Sequence, residues 1–168
     1  MSLIATEPVR PVTQDTINDG DAKVTSHAFW PVIVLSALRR AMRLDGQVTT
    51  DRLMDKAIEA VAHVNGQLAD WRGGQEQRGV VLLSDVKSEG ADEIEQINGE
   101  SVLVWRYRRA VYSITKALLI EGYRDIDTTR EGEKHAEALS SQIDTLWRDG
   151  RWAIRDILGV NRGLAELV

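Results

Sequence analysis

Apolar residues recur at intervals of three or four positions in four stretches of the chain, the spacing that places side chains on one face of an α-helix. The clearest stretch consists of Leu53, Ala57, Val61, Val64, Leu68 and Trp71. Thr49 or Thr50 precedes it and can accept hydrogen bonds from the free amides of a first helical turn. The pattern therefore predicts a helix that begins at these threonines and ends at Gly73 and Gly74.

Three further helices are predicted from the same spacing, over residues 32–44, 100–123 and 130–158. Their apolar stripes are Leu35, Leu38 and Met42; then Val104, Tyr107, Val111, Ile114 and Leu118; then Leu139, Ile143, Leu146, Ile154 and Ile157. Gly46, which can adopt a left-handed conformation, is expected to stop the first of these helices, and Gly159 the last. Gly150 lies inside the last stripe, where it either kinks the helix or permits close packing.

A long connection separates the second and third predicted helices, over residues 73–99. Val80 to Leu83 is expected to form a short strand or a buried patch. From position 73 to position 100 there are seven acidic and two basic residues, a net charge of −5. Connections of this length are usually functional or disordered. We define the acidic loop by five of these carboxylates: Asp85, Glu89, Asp92, Glu93 and Glu95.

The two ends of the chain lack a helical stripe. Residues 1–27 contain prolines, glycine and many polar side chains, and are expected to form a flexible arm or an arm that orders on a neighbouring subunit. Residues 161–168 are expected either to fray or to pair as a strand with a neighbour. The predicted fold is mainly α: a four-helix, antiparallel, bundle-like domain over residues 28–168, with a long acidic loop and flexible termini.

Composition excludes several classes of protein. The chain has 168 residues, of which 43% are hydrophobic and 28% charged, as in soluble globular domains. The net charge of −5 argues against a protein whose main task is to grip nucleic acid. Cysteine is absent, which rules out disulfides and thiolate chemistry. We expect no membrane span and no secretory signal, and synthesis in the cytoplasm.

A search for catalytic chemistry finds little. The three histidines have no co-ligands at metal-binding spacing. Asp125, Asp127 and Asp144 could be imagined as a carboxylate site, but turn and capping roles explain them better. No phosphate-binding, dinucleotide-binding or nucleophile-elbow motif occurs. We therefore expect no enzyme activity, no cofactor and no metal.

Candidate interface residues are few. Arg106, Arg108 and Arg109 form a basic cluster that could meet phosphate or an acidic partner, although such a run is more often a solvated helix face. A helix-turn-helix is rejected, because acidic residues open its reading helix. Five tryptophans are many for a small helical protein, and an exposed one would mark an interface. The candidates are Phe29, Trp30, Arg106, Arg109, Trp147 and Trp152.

Several segments, read in order over residues 29–168, resemble one family. They are Phe29-Trp30-Pro31, Arg43-Leu44-Asp45-Gly46-Gln47-Val48-Thr49, Val64-Asn65-Gly66-Gln67-Leu68-Ala69-Asp70-Trp71, Tyr107-Arg108-Arg109-Ala110-Val111-Tyr112, Tyr123-Arg124-Asp125-Ile126-Asp127-Thr128-Thr129 and Arg155-Asp156-Ile157-Leu158-Gly159. Together they resemble the head completion (head stabilisation) proteins, the GPL family, of temperate contractile-tailed phages and prophages.

The resemblance implies a helical connector domain in the virion, at the junction of head and tail. Proteins of this kind join the DNA-filled head after packaging, stack as a ring beneath the portal, help to retain DNA and offer a surface to the tail. The implied partners are the portal protein, tail or tail-completion proteins and further copies of the chain, with no sequence-specific nucleic-acid binding. The acidic loop could then line a channel and repel DNA. The alternative is a helical adaptor or regulatory module that binds another protein.

Overall fold

The computed structural model describes residues 17–124 and 132–161 of the chain. Its helices are α1 Leu35–Met42, α2 Thr50–Gln67, α3 Ala69–Gln77, α4 Val102–Arg124 and α5 Gly132–Leu158, with a 3-10 helix at Leu83–Asp85. Strands β1 Lys23–Val24 and β2 Ile33–Val34 form one antiparallel pair, and β3 Gln96–Ile97 and β4 Glu100–Ser101 form another. The predicted mainly α class is confirmed.

The described residues contain five helices instead of the four that were predicted. The chain turns at Leu68 and continues as α3, so the prediction that Gly73 and Gly74 end a helix is wrong: both lie inside α3. The first helix begins three residues later than predicted, because Ile33 and Val34 pair with β1. Of the predicted patch at residues 80–83, Leu83 is buried and Val81 is exposed. Residues 125 and 127 of the suggested carboxylate site lie outside the described residues.

Residues 17–27 are packed onto the helices, so the prediction of a flexible arm is wrong for this part of it. Strand β1 pairs with β2, and Val24 is buried in the core. Asp19 is also buried. The hydrophobic pattern did not predict the packing of this segment, because a two-residue strand has no measurable periodicity and the residue that anchors the segment, Asp19, is charged. Residues 1–16 lie outside the described range.

A buried ion pair fixes this segment to α1. The Arg39 guanidinium donates two hydrogen bonds to the Asp19 carboxylate, from Nε at 2.7 Å and from Nη2 at 2.8 Å. The remaining nitrogen, Nη1, donates to the carbonyl oxygens of Asp45 and Val48. The Thr50 hydroxyl donates to Asp19 at 2.8 Å. One arginine therefore joins the N-terminal segment, α1 and the start of α2.

The same arginine explains how α1 ends. Its C-cap is Arg43, in the left-handed conformation with φ of 52°, and not Gly46 as predicted. The loop that follows must wrap around the Arg39 side chain to supply its two carbonyl acceptors. The start of α2 is as predicted, since the Thr49 side chain accepts a hydrogen bond from the Arg52 amide. Gly159 ends α5 with φ of 70°, also as predicted.

Helix α4 occupies the centre of the fold. It packs against α2, where the Tyr107 hydroxyl donates to Asn65 at 2.7 Å. It also packs against α5, where Ile114 meets Gly150 and Glu121 accepts a hydrogen bond from the Trp147 indole. The order of these contacts shows that α5 runs antiparallel to α4. Among the described residues, α4 therefore supplies more of the buried hydrophobic core than any other element, and its neighbours are arranged around it.

Gly150 permits close packing of α5 on α4. A Cβ atom at this position would lie 2.7 Å from Cγ1 of Ile114, closer than real contacts allow, and 3.6 Å from the Ala110 carbonyl oxygen. Ile114 is fully buried and cannot turn aside. Of the two alternatives for Gly150, close packing is the one observed.

Replacing Gly150 by alanine is expected to lower the free energy of unfolding by about 1 kcal/mol. Overpacking a core costs about 1–3 kcal/mol, of which the better helix propensity of alanine offsets about 1. The matched control is Gly66→Ala in α2, where an added Cβ meets nothing within 4 Å and which should stabilise the protein by up to about 1 kcal/mol. Urea denaturation of both variants measures the difference. Equal stabilisation by the two substitutions would contradict the packing argument.

Replacing Asp19 by asparagine should destabilise the protein by about 3 kcal/mol at neutral pH, because it leaves the Arg39 charge buried without its partner. The hydrogen bond from Arg39 lowers the pKa of Asp19 below its ordinary value. The stabilisation is therefore complete above about pH 4 and is lost as the pH falls further, through the lowered pKa. Urea denaturation between pH 7 and pH 2.5 should show the two proteins converging in acid. A constant difference over this range would refute the assignment.

Candidate interaction surface

An open groove of about 570 Å³ lies between α1 and the outward face of α4. Trp105 stands at its edge with 53% of its surface exposed. The other residues that line it are Ala37, Ala41, Met42, Glu100, Arg108, Arg109, Tyr112 and Ser113. Tryptophan, tyrosine and arginine are the side chains that contribute most often to protein interfaces. We call this feature the α1–α4 groove.

The rim of the α1–α4 groove is basic. The Arg109 guanidinium lies 5.7 Å from the centre of the Trp105 ring, a cation–π contact that keeps both groups at the surface. Lys116 donates from Nζ to the Met42 carbonyl oxygen at 2.8 Å, which fixes its charge near the groove. Arg108 forms an ion pair with Glu100. The net effect is a positively charged edge around an apolar floor.

The pKa of Tyr112 depends on burial in the groove and on the charges around it. Burial raises the pKa of its phenol, and the positive charges of Arg108 and Arg40 act in the opposite direction. Arg40 on α1 is therefore close enough to contribute to the field in the groove. Four cationic side chains, Arg40, Arg108, Arg109 and Lys116, surround the floor, and the carboxylate that lines it is Glu100.

The aromatic pair that the sequence suggested as an interface is instead part of the core. Phe29 is 1% exposed and Trp30 is 5% exposed. Their rings meet edge to face at 4.8 Å, and Trp30 stacks on Tyr107 at 4.9 Å with an interplanar angle of 9°. Burial raises the pKa of Tyr107 far above its ordinary value. These aromatic rings anchor the N-terminal segment to α4, and they are closed to a second chain.

Arg106 and the two tryptophans of α5 lie apart from the groove. Arg106 donates to the Asp156 carbonyl oxygen at 3.3 Å and so ties α4 to the end of α5. Trp147 is half-buried, donating to Glu121 and meeting His63 edge to face at 5.4 Å. Trp152 is half-buried, and the Arg148 guanidinium lies 4.7 Å from the centre of the Trp152 ring. Of the suggested interface residues, Arg109 is the one that the structure places in the α1–α4 groove.

The five carboxylates of the acidic loop are exposed. Asp85 ends the 3-10 helix, and Lys87 donates to the Asp92 carbonyl oxygen at 2.8 Å. The loop then enters the β3–β4 hairpin, whose turn residues Asn98 and Gly99 have positive φ values of 54° and 76°. The Val102 amide donates to the Glu95 carbonyl oxygen, which attaches the hairpin to the start of α4. The acidic loop therefore projects beside the N-terminal end of α4.

Sequence reasoning missed Trp105 as a surface residue, although a signal for it exists. Trp105, Arg109, Tyr112 and Lys116 follow one another at intervals of four, three and four, which makes a second helical stripe on α4. The buried stripe through Tyr107, Val111 and Ile114 runs along a different face. Two stripes on one helix, one of them aromatic and basic, indicate a helix with an exposed functional face. Ala37 and Ala41 could not have been found, because their place in the groove depends on tertiary packing.

Within the described ranges, no group of three or more histidine, aspartate or glutamate side chains is arranged to hold a metal ion. Nor is any helix there long and apolar enough to cross a membrane.

Comparison with known proteins identifies the family. The family model for the phage head completion protein (GPL) matches residues 24–168. The chain belongs to the phage head completion protein (GPL) family. It is 36% identical over 150 residues to a head completion/stabilization protein of Escherichia phage P2, covering 89% of this chain and 85% of that protein. No solved structure matches the chain.

Membership of the GPL family gives the chain a structural role in completing the phage head. It also associates the protein with the virion and with other structural components of head and tail. The match begins at position 24, inside β1, so it includes residues 24–27 of the N-terminal segment and leaves out Asp19.

Proposed function

We propose that this GPL-family protein docks beneath the portal of a DNA-filled head, assembles there as a ring, helps to retain the DNA and presents the surface to which the tail joins. The observation that carries the proposal is the family match over residues 24–168. The phage P2 relative, whose name specifies head completion and stabilization, supports it. In this proposal the portal protein, tail or tail-completion proteins and neighbouring copies of the chain are the partners, and the head-tail junction is the location.

The architecture supports an assembly role over a catalytic one. Among the residues that the structure describes, the titratable groups with shifted pKa values are Asp19, Arg39, Tyr107 and Tyr112. The first two form a structural ion pair, the third is enclosed in the core, and the fourth lies in an open groove. Changes in pKa that packing and ion pairing explain completely are typical of residues with a structural role. We propose that the protein has no enzymatic activity and needs no cofactor.

The acidic loop has a separate place in this proposal. Its exposed carboxylates lie on a connection that projects beside α4. Fixed negative charges that face a DNA channel would repel the phosphate backbone and let the duplex pass without adhering. We assign the acidic loop to the channel side of the ring and the α1–α4 groove to protein contacts.

The first test is an early stop codon in this gene, in the phage or prophage that carries it, followed by electron microscopy of the particles. Heads that package DNA and then lose it, beside unattached tails, are the expected result. Supplying the intact gene in trans should restore complete particles. Normal infectious particles without the protein would overturn the proposal and favour the adaptor alternative.

Neutralising the acidic loop should change how firmly DNA is held, because the duplex would meet a channel without its repulsive charge. The variant replaces the five loop carboxylates with amides: Asp85, Glu89, Asp92, Glu93 and Glu95. A control variant replaces exposed carboxylates of other elements, Asp21, Asp70, Glu137 and Asp144. Nuclease-accessible DNA and the rate of ejection from assembled particles are measured. Identical DNA retention and ejection in the loop variant and the wild type would show that the acidic loop does not face the channel.

A further inference from the structure

Helix α2 carries an exposed acidic face that is separate from the α1–α4 groove. Its members share a single side of the helix and are exposed to solvent: Asp51, Asp55, Ile58, Glu59, Ala62 and Gly66. Ile58 is 52% exposed, an unusual position for a large apolar side chain. Lys56 pairs with Asp55 and Glu59, and the exposed Arg52 borders the same cleft as Asp51 and Asp55, so three negative charges face two positive ones. We call this surface the α2 outer face.

The two surfaces lie on different helices. Tyr107 points to α2, since its hydroxyl donates to Asn65. Trp105 precedes it by two residues, which is about 200° around an α-helix, so the groove is on the side of α4 that faces away from α2. On α2, the buried stripe through Ala57, Val61 and Val64 faces the core, and the α2 outer face lies on the other side of that helix, with Asp51 and Asp55 bordering a cleft beside the end of α4. A subunit therefore presents two different surfaces, a basic groove on α4 and an acidic face on α2.

The two surfaces are complementary in charge and in polarity. The groove carries Arg40, Arg109 and Lys116 with an exposed Trp105 at its edge. The α2 outer face carries three carboxylates with the exposed Ile58 among them. Both surfaces also carry small side chains, Ala37 and Ala41 in the groove and Ala62 and Gly66 on the helix, which would allow a close approach.

We propose that the α2 outer face of one subunit docks into the α1–α4 groove of the next, so that subunits join head to tail. This inference rests on the proposed ring and names its interface. A contact between two different surfaces is heterologous, and repeated by rotation it closes into a ring. The occupant of the groove is therefore a second copy of this chain.

Charge alone would also admit DNA into the groove. An apolar floor and an edge tryptophan beside small side chains fit a packed helix better than a phosphate backbone, which is bound mainly by basic side chains. The net charge of −5 opposes a DNA-gripping surface as well. The charge-reversal experiment described below distinguishes binding of DNA from binding of a second subunit.

The absence of cysteine from the chain allows a direct test by crosslinking. Ala62→Cys on α2 and Ala41→Cys in the groove change two small, exposed residues. A double variant, incorporated into DNA-filled heads and treated with a short bis-maleimide, should give a ladder of covalent oligomers on a denaturing gel. Each single variant should give monomers, and the two singles mixed should stop at dimers. Ala41→Cys combined with Ser141→Cys on α5 is the matched control and should remain monomeric.

The outcomes separate this interface from the proposed function. Dimers from either single variant would show a twofold contact and overturn the head-to-tail inference. Infectious heads in which the double variant stays monomeric would overturn the inference and leave head completion intact. Loss of DNA from heads that lack the protein would support the proposed function and would not decide which surfaces form the interface.

Charge reversal gives a second, independent measurement. Arg109→Glu alone and Glu59→Arg alone should each reduce the number of subunits bound per purified head, and the two substitutions in one chain should restore it. Loss of DNA with a full complement of subunits in the Arg109→Glu heads would assign the groove to DNA and overturn the inference. Circular dichroism of each purified variant confirms that the helices are intact before heads are compared.

Discussion

The burial of α4 along most of its length is the constraint on which the rest of the structure depends. An α-helix that is apolar on several faces must be covered on several sides. Helix α2 covers one side and α5 another, while Phe29 and Trp30 cover the side near the hairpin. Gly150 lets α5 come close enough to do so without a void. The side that remains open is the one that carries Trp105 and Arg109.

A single polar contact makes this covering possible at the N-terminal end. The segment that holds Phe29 and Trp30 has two residues of strand and little apolar surface before them. The Asp19–Arg39 ion pair fixes it, and the carbonyl oxygens of Asp45 and Val48 satisfy the rest of the guanidinium. A buried charge pair contributes little net stability compared with apolar packing, yet it accepts few alternative geometries. Its value here is to determine where the N-terminal segment lies.

Sequence reasoning succeeded where structure is local and failed where it is not. The stripe from Leu53 to Leu68 and the Thr49 cap follow from helical geometry and were predicted correctly. The order in residues 17–26 depends on Arg39, twenty positions away from Asp19, and no local pattern contains it. The α1–α4 groove could not be predicted from the sequence for the same reason. Arg109 was identified because arginines cluster in the sequence, whereas Ala41 lines the groove only because α1 packs beside α4.

The distribution of charge bears on when such subunits would assemble. The net charge of −5 makes free subunits repel one another at short range, and salt screens this repulsion beyond about 8 Å at physiological ionic strength. The attraction between the basic groove and the acidic α2 face acts only at contact, because salt screens it at longer range. Under the proposed head-to-tail contact, such subunits would join once a platform holds them side by side. In the proposed docking beneath the portal, equivalent positions on the portal would supply that platform, and assembly would then follow the completed head instead of preceding it.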